Sequence, residues 1–433
     1  MLAALAAASA PAAAQTLPGQ PVGDPVPTVD DNDDLETASA GVAGLAGFPG
    51  RGLQLNASFL SRYEDNLARR PVKDDGWRLR PSATATYGLG AGRLGFYATG
   101  TYGRDIIVAN NILPATDRQR LGAGVAAQLS RCNIDAGASY ARNLVLTTDI
   151  GQFGGIQQRT TQGGALLACR FGSALRLNAS ATFADIGLAR GPGTSAFDSR
   201  RWTYTSGLSF TRPALGTLSV DGSLSDMSFT GRFVVTPTGQ EEDGLLQRSI
   251  RLGWSRQFGS RLTLTLGGSY LDTGPKNDGT LIIIDGIPQV ADRSSFSGGG
   301  YDAALLFRLT PRLALNARAG RSVRANNFIG AQFSVVDNLQ LSTVFKLKDG
   351  ITMSAGWDQL DSRFRSVATT ALERVPRNFD KFDRYFANIN ARLGRRLRLA
   401  LDVSHNQRRS DPAVFNFDST GVGLTIGFEL GKK

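Results

Sequence analysis

Residues 248–271 read RSIRLGWSRQFGSRLTLTLGGSYL, and this stretch indicates the fold class of the whole chain. It holds two runs of alternating apolar and polar residues on either side of a Gly-Ser-Arg turn. In the first run Ile250, Leu252 and Trp254 share one face, and Arg251 lies on the other. Because side chains alternate between the two faces of a β-strand, each run predicts an amphipathic strand, and the pair predicts a β-hairpin.

The second half of this stretch belongs to a unit that recurs along the chain: a tight polar turn, often an arginine, and then alternating apolar residues. Clear copies begin at Gly92, Ala174, Arg261, Arg312 and Arg396, and weaker ones begin near Asn133, Gly216 and Gly350. Successive copies lie roughly 40–50 residues apart, a spacing that propeller blades also show. A blade needs four short strands, whereas each period here holds two strands of about 11–14 residues, long enough to cross a bilayer at a tilt.

Connections of two kinds alternate between the strands. Short turns are predicted near residues 91, 132, 173, 215, 259, 310, 348 and 395, and long loops near residues 68, 110, 152, 193, 237, 282, 328, 372 and 413. Eight short turns and nine long loops predict nine hairpins, hence about 18 strands, or 16 if one hairpin is miscounted. The alternative counts differ around residues 274–295, where Thr280–Ile287 can form a hairpin within a loop. The predicted fold is an all-β, transmembrane, antiparallel up-and-down β-barrel with short periplasmic turns, long extracellular loops and both termini periplasmic.

The composition of the 433 residues is compatible with such a barrel. Mean hydropathy is only −0.14, but lipid-facing and lumen-facing residues cancel in any average over a transmembrane barrel. The formal net charge is +11. The basic residues are spread over every hairpin instead of gathered in one patch, so the sequence does not favour nucleic-acid binding.

The N-terminal 50 residues differ from the rest of the chain. Residues 1–14 form a short apolar segment that ends in Ala12-Ala13-Ala14, which is typical of the end of a signal peptide. The usual basic start is missing, so the expectation is a signal peptide that is either complete or truncated. Residues 15–50 carry six acidic residues and no basic one, and we expect a flexible acidic tail on the periplasmic side. Residues 51–433 are then the predicted outer-membrane barrel.

The C-terminal strand gives a further indication. Apolar residues alternate with small or polar ones from Val422 to Leu430. Ser419, Gly421, Leu424 and Ile426 resemble the C-terminal signal that the barrel-assembly machinery reads during biogenesis, but the usual terminal aromatic residue is absent. Expected partners are therefore the barrel-assembly machinery and the lipids of the outer membrane.

The residues that could carry chemistry are few. Cys132 and Cys169 each fall at the short-turn end of a predicted strand. The two alternatives are a disulfide between them at the periplasmic rim, which an exported protein can keep, and two free thiols. His405 is the only histidine, and Asp402 three residues away on the same strand would point to the other face. Neither a nucleophile motif nor a metal-ligand set is found, so no catalytic residue, cofactor or metal is predicted.

Basic residues on the polar strand faces are the remaining functional signal. Rings of arginine in a pore attract anions, whereas arginines paired with acids only stiffen the wall. Basic residues outnumber acidic ones after residue 50, so we expect some positive potential to persist. The predicted pore-lining residues are Arg176, Arg251, Arg261, Arg318, Arg324, Arg384, Arg392, Arg396, Arg398, Asp135, Asp221 and Asp402.

The first hairpin resembles that of a family of outer-membrane β-barrel porins encoded beside exopolysaccharide biosynthesis and export genes. The resemblance rests on Tyr63-Glu64-Asp65-Asn66-Leu67, on Asp74-Asp75-Gly76-Trp77, on Leu79-Arg80-Pro81 and on the repeated turn-Arg-Leu pattern. It implies secretion of an exopolysaccharide across the outer membrane, together with a periplasmic polysaccharide-export partner. A basic lumen would suit an acidic polymer.

Two further functions are compatible with the same sequence. One is a general or anion-selective diffusion porin, and the other is a structural or adhesion barrel closed by its own loops. The acidic tail over residues 15–50 suggests a plug among the basic lumen residues, a hypothesis that rests on charge alone.

Overall fold

The computed structural model describes residues 52–69, 71–91, 93–108, 115–146, 155–188, 198–284, 287–290, 293–328, 331–365, 378–411 and 413–431. The predicted signal peptide and acidic tail lie outside these residues. In chain order the strands are β1 (Gly52–Glu64), β2 (Gly76–Ala91), β3 (Leu94–Val108), β4 (Thr116–Leu129), β5 (Cys132–Leu146), β6 (Gly155–Phe171), β7 (Leu175–Leu188), β8 (Ser199–Arg212), β9 (Gly216–Thr236), β10 (Gly239–Phe258), β11 (Leu262–Pro275), β12 (Leu281–Ile284), β13 (Ile287–Val290), β14 (Phe296–Arg308), β15 (Leu313–Phe328), β16 (Ala331–Lys348), β17 (Ile351–Arg365), β18 (Phe379–Leu393), β19 (Leu397–Asp411) and β20 (Phe417–Gly431).

Eighteen of the described strands form one closed antiparallel barrel. Each pairs with the next along the chain, with β11 pairing directly to β14. The barrel closes between β1 and β20, where Phe59 lies opposite Ile426. The remaining two strands, β12 and β13, form a small hairpin in the β11–β14 connection, and β12 pairs with β9. The predicted up-and-down barrel of 18 strands is confirmed, and a hairpin lies at the place where the sequence allows one.

The two ends of the barrel have different connections. At one end, here called the short-turn rim, eight connections of two to four residues fall where the sequence predicts short turns. Gly259, at φ +60°, occupies the left-handed conformation that the turn between β10 and β11 requires. We call the opposite end the long-loop rim.

Two of the predicted long loops are wrong. The chain near residue 237 turns within two residues, because β9 and β10 stay paired up to Thr236 and Gly239. Likewise β15 and β16 stay paired up to Phe328 and Ala331. In both hairpins the strands stay paired into the segment that was predicted to be a loop. Cross-strand hydrogen bonds there satisfy the backbone N–H and C=O groups.

The outer face of the barrel is apolar. Along β10, for example, Ile250 and Leu252 are among the most exposed large apolar side chains, at 59% and 62%. Tyrosine and tryptophan follow this outer face on the long-loop side, in cross-strand pairs such as Tyr63 with Trp77 and Trp357 with Tyr385. An exposed apolar band edged by aromatic residues is the lipid-facing surface of a transmembrane barrel. Among the described residues, no helix is long and apolar enough to cross a membrane.

Cys132 and Cys169 lie directly opposite each other on β5 and β6 at the short-turn rim. Their Cα atoms are 4.0 Å apart and their sulfur atoms are joined in a disulfide. Both cysteines therefore lie at the short-turn ends of their strands, as the sequence predicts.

We expect this disulfide to form in the exported protein and to stabilise the barrel. Closing a loop across a sequence separation of 37 residues lowers the conformational entropy of the unfolded chain. This stabilises the folded barrel by roughly 4 kcal/mol. Peptide mapping without reductant should yield a linked Cys132–Cys169 peptide, and Cys132→Ser should lower the temperature at which the folded barrel unfolds. Ser130→Ala, in the same turn, is the matched control. Two alkylated thiols in the purified protein would contradict the prediction.

Candidate channel lumen

The alternation of each strand places one set of side chains on the inner wall. Most of the predicted pore-lining residues belong to it, at positions that alternate with the exposed apolar residues: Arg176, Arg251, Arg318, Arg384, Arg392, Arg398, Asp135, Asp221 and Asp402. Arg261 and Arg396 do not lie on the wall. They are exposed in the short turns that precede Leu262 and Leu397, so they belong to the rim.

Arg251 is the centre of an ion-pair network on the wall. Its Nε and Nη2 donate to the two carboxylate oxygens of Asp302 at 2.7 and 2.6 Å, and its Nη1 lies 3.4 Å from Asp221. The contact passes over Gly267 of β11, where an added Cβ would lie 2.2 Å from Asp302. A glycine is therefore needed at this position for Arg251 to join β9, β10 and β14.

Other inner-wall arginines lack such balance. Arg170 and Arg176 lie directly opposite each other on β6 and β7, and neither has an ion pair with a described residue. A like-charged pair facing across strands costs stability, and it concentrates positive charge on this part of the wall. Arg392 and Arg398 are opposed in the same way, but Glu429 lies near both.

The part of the β15–β16 hairpin nearest the long-loop rim leans into the barrel, and we call its described residues, 321–328 and 331–336, the inner hairpin. Pairing between β14 and β15 stops at Asp302 and Gly320, whereas β15 and β16 stay paired beyond that point. Val323 receives a hydrogen bond on its carbonyl from Nε2 of Gln247, an inner-wall residue of β10, at 3.2 Å. Since β11 and β14 separate β10 from β15 in the wall, this contact requires the hairpin to lean across the lumen.

An apolar cluster holds the inner hairpin against the wall. Its buried members are Met227, Phe229, Val234, Leu245, Leu271, Ile282, Val323, Phe333 and Val335. Those from β9, β10 and β11 lie on the inner wall, and those from β15 and β16 belong to the hairpin. Burial of this many apolar side chains within the lumen gives the hairpin a defined resting position.

A buried carboxylate fixes the end of the inner hairpin. Asp243, fully buried on β10, lies 2.5 Å from Arg232 Nε and 2.5 Å from Arg293 Nη2, and it accepts a hydrogen bond from Gln332 Nε2 at 2.9 Å. Arg232 reaches this position because β9 bulges around Gly231, at φ +81°. We call these four side chains the Asp243 clamp. Arg324, another predicted pore-lining residue, lies on the same hairpin.

The segment that carries the family resemblance closes the barrel between β1 and β20. Asn66 Nδ2 donates to the carbonyl oxygen of Asp418 at 2.9 Å, and a carboxylate oxygen of Asp65 accepts from the backbone N–H of Thr420 at 2.6 Å. Lys73 Nζ also donates to Asp65 at 2.6 Å, and this hydrogen bond raises the pKa of Lys73. These contacts give the motif a structural role in barrel closure.

Arg62 extends this closure on the inner wall, and it is not among the pore-lining residues predicted from the sequence. Its Nε donates to Glu64 at 2.8 Å, its Nη2 donates to Ser404 at 2.6 Å, and its Nη1 pairs with Asp402. Strand alternation alone could have placed Arg62 on the wall. Two of its partners, Asp402 and Ser404, belong to β19 and lie more than 300 residues away in the chain. Only the closed barrel brings them next to Arg62.

His405 lies on the outer face, on the same alternation as Leu401 and Val403. Its ring stacks on Tyr385 at a centroid distance of 6.4 Å, and Nδ1 lies 3.0 Å from the hydroxyl of Thr420. Asp402 faces the lumen, so the two do not meet. Among the described residues, no cluster of three or more histidine, cysteine or acidic side chains is placed to hold a metal.

Comparisons with known proteins show that this chain is similar in fold to outer-membrane porins of known structure. No protein-family model and no curated protein matches the chain. Among solved structures, OccK2 (OpdF) of Pseudomonas aeruginosa has 13% identity and a TM-score of 0.49, over 89% of this chain and 100% of that one. A BenF-like porin of Pseudomonas fluorescens has 13% identity and a TM-score of 0.47, over 89% and 100%. The outer membrane protein OpdK of P. aeruginosa has 12% identity and a TM-score of 0.47, over 87% and 98%.

Proposed function

We propose that this protein is a passive diffusion channel of the Gram-negative outer membrane that favours small anions. The observation that carries the proposal is an inner wall with arginines such as Arg170 and Arg176 that have no acidic partner among the described residues. Barrels of 16–18 strands leave an aqueous interior, and arginines lining it attract anions. The apolar outer face supports placement in the outer membrane, with the short turns and both termini in the periplasm.

Exopolysaccharide secretion is the second candidate. It is favoured by the Tyr63–Leu67 segment and by a basic wall that would attract an acidic polymer, and it would involve a periplasmic polysaccharide-export protein. The contacts described above give the Tyr63–Leu67 segment a role in barrel closure that needs no polymer. The inner hairpin also occupies part of the lumen, which favours small solutes over a polymer chain. A plugged structural or adhesion barrel is the third candidate.

Recordings in planar bilayers test the proposal. We expect steady conductance by the purified full-length protein, with reversal potentials in a salt gradient that report preference for chloride over potassium. The preference should fall as salt rises, because the Debye length shrinks from about 10 Å at 0.1 M to about 3 Å at 1 M. Deleting the gene should leave secreted polysaccharide unchanged. Lost secretion together with absent small-ion conductance would favour the second candidate, and absent conductance with normal secretion would favour the third.

A further inference from the structure

A basic pair of side chains lies on the outer face of the barrel, toward the long-loop end of β5 and β6. It consists of Arg142 and Arg159, which lie directly opposite each other on these two strands. Their register row continues through Gln119 of β4 to Tyr102 of β3, an exposed aromatic residue of the outer face. Aromatic residues on this face mark the border between the hydrocarbon core and the headgroups, so the pair lies where lipid headgroups contact the protein.

Neither arginine of the pair has an acidic partner among the described residues. Nη2 of Arg142 donates to the side-chain oxygen of Gln157, but its Nε is buried and has no hydrogen-bond partner. Arg159 is exposed and forms no ion pair or hydrogen bond within the described part of the chain. Like charges that face each other across strands are destabilising, and so is a buried donor without an acceptor. An anion bound between the two guanidinium groups would offset both costs.

The acidic residues closest to the pair are engaged elsewhere. They are Asp117, which lies 4.0 Å from Arg104 Nε, Asp185, which lies 4.0 Å from Arg200 Nε, and Asp198, which accepts from the backbone N–H of Leu188 at 2.8 Å. None of these described carboxylates forms an ion pair with Arg142 or Arg159. The pair therefore keeps its positive charge at the membrane surface.

We propose that Arg142 and Arg159 bind a phosphate group of lipid A, the phosphorylated glycolipid of the outer leaflet. A phosphate offers three acceptor oxygens, and guanidinium groups bind it through parallel, charge-assisted hydrogen bonds. Basic residues clustered at a bilayer surface recognise anionic lipids by the same chemistry. The inference goes beyond the proposed function and rests only on its orientation, with the long-loop rim outside the cell.

The surroundings of the pair suit a glycolipid. Gln119 and Gln157 present side-chain amides on the same face as Arg142, and an amide both donates to and accepts from sugar hydroxyls. One register step toward the short-turn rim, Tyr140 lies opposite Leu121, which is 56% exposed on the apolar outer surface. The phosphate, the sugar and the acyl chains of lipid A would thus meet cations, amides and apolar side chains, respectively.

Native mass spectrometry of the full-length protein in detergent tests the site, with synthetic diphosphoryl lipid A as the probe. We expect Arg142→Gln and Arg159→Gln each to raise the dissociation constant by about tenfold or more, because each removes a charge-assisted contact. Arg159→Lys keeps the charge but loses the planar fork, and it should raise the constant by about threefold. Lys381→Gln, which removes an outer-face cation 3.9 Å from Asp383, is the matched control and should bind lipid A like the wild type. The heat-dependent shift of the barrel in gel electrophoresis checks that each variant is folded.

Phosphatidylglycerol and inorganic phosphate are the competing ligands, and the proposal expects neither to displace lipid A at an equal concentration. Equal lipid A binding by the wild type, Arg142→Gln and Arg159→Gln would overturn the site. Equal weakening by Lys381→Gln would also overturn it, because the effect would then come from general surface charge. Displacement by phosphatidylglycerol would overturn the choice of a glycolipid, and displacement by inorganic phosphate would overturn the choice of a lipid.

These outcomes are independent of the conductance measurements. An anion-selective channel that binds no lipid A would keep the proposed function and overturn the lipid site. Arginine-dependent binding of lipid A by a protein without conductance would keep the lipid site and overturn the proposed function.

Discussion

Asp243→Ala is expected to release the inner hairpin and to raise the single-channel conductance. The substitution removes a fully buried carboxylate from Arg232, Arg293 and Gln332 and leaves two buried guanidinium groups without it. Only the Gln332 hydrogen bond joins this carboxylate to the hairpin, and a hydrogen bond to a charged group contributes about 1.5–3 kcal/mol. At about 1.4 kcal/mol for each factor of ten, the released hairpin should gain population by about tenfold or more. The measurement is the conductance of single channels in planar bilayers.

Two further variants make this test specific. Gln332→Leu removes only the hydrogen bond between Asp243 and the hairpin and leaves the Arg232–Asp243 ion pair intact. It should also raise the conductance, but by less than Asp243→Ala does. Asp272→Ala removes an aspartate from the outer face of β11 and should leave conductance unchanged. Folding of each variant is checked by the heat-dependent shift of the barrel in gel electrophoresis. Wild-type conductance in both folded Asp243→Ala and Gln332→Leu would show that the hairpin does not limit the path.

Changes at the Arg251 network should move ion selectivity in opposite directions. Arg251→Ala leaves Asp221 and Asp302 uncompensated on the inner wall, whereas the double change Asp221→Asn and Asp302→Asn leaves Arg251 as a lone cation. Fields focused in a cleft change local ion concentrations by about tenfold or more at low salt. We therefore expect Arg251→Ala to lower the chloride-to-potassium permeability ratio and the double variant to raise it.

The salt dependence of this pair of variants is part of the prediction. The difference between them should shrink at 1 M salt, where the Debye length is about 3 Å. Lys381→Gln, which removes an exposed cation from the outer face of β18, is the control. It should leave the chloride-to-potassium permeability ratio unchanged. A shift of the same sign in Arg251→Ala and the double variant would contradict an electrostatic origin and would indicate a change in the shape of the wall.

Local patterns in the sequence were enough to predict the barrel. The alternation around the turn of residues 258–262 recurs often enough to give the positions of all eight short turns, because both strand period and turn chemistry are local properties. The same alternation correctly assigned inner-wall positions such as Arg251 and Arg398. It failed for Arg261 and Arg396, because turn residues have no strand face.

Local sequence patterns did not predict the contacts between strands that are far apart in the chain. The bulge at Gly231 reverses the alternation of β9 before Arg232, so counting along the strand does not lead to the Asp243 clamp. The sequence near residue 328 reads as a loop, yet the strands continue and lean inward, because Val323 and its neighbours find apolar partners on strands far away in the chain.

The sequence by itself determined a closed transmembrane barrel with a basic inner wall, since period, turn residues and composition act over a few residues at a time. The tertiary structure decided which arginines are neutralised and which are not. Arg251 is balanced by Asp302 across two strand boundaries, while Arg170 and Arg176 face each other without an acidic partner among the described residues. Charge balance depends on distances in space, and those distances are fixed only when the barrel closes.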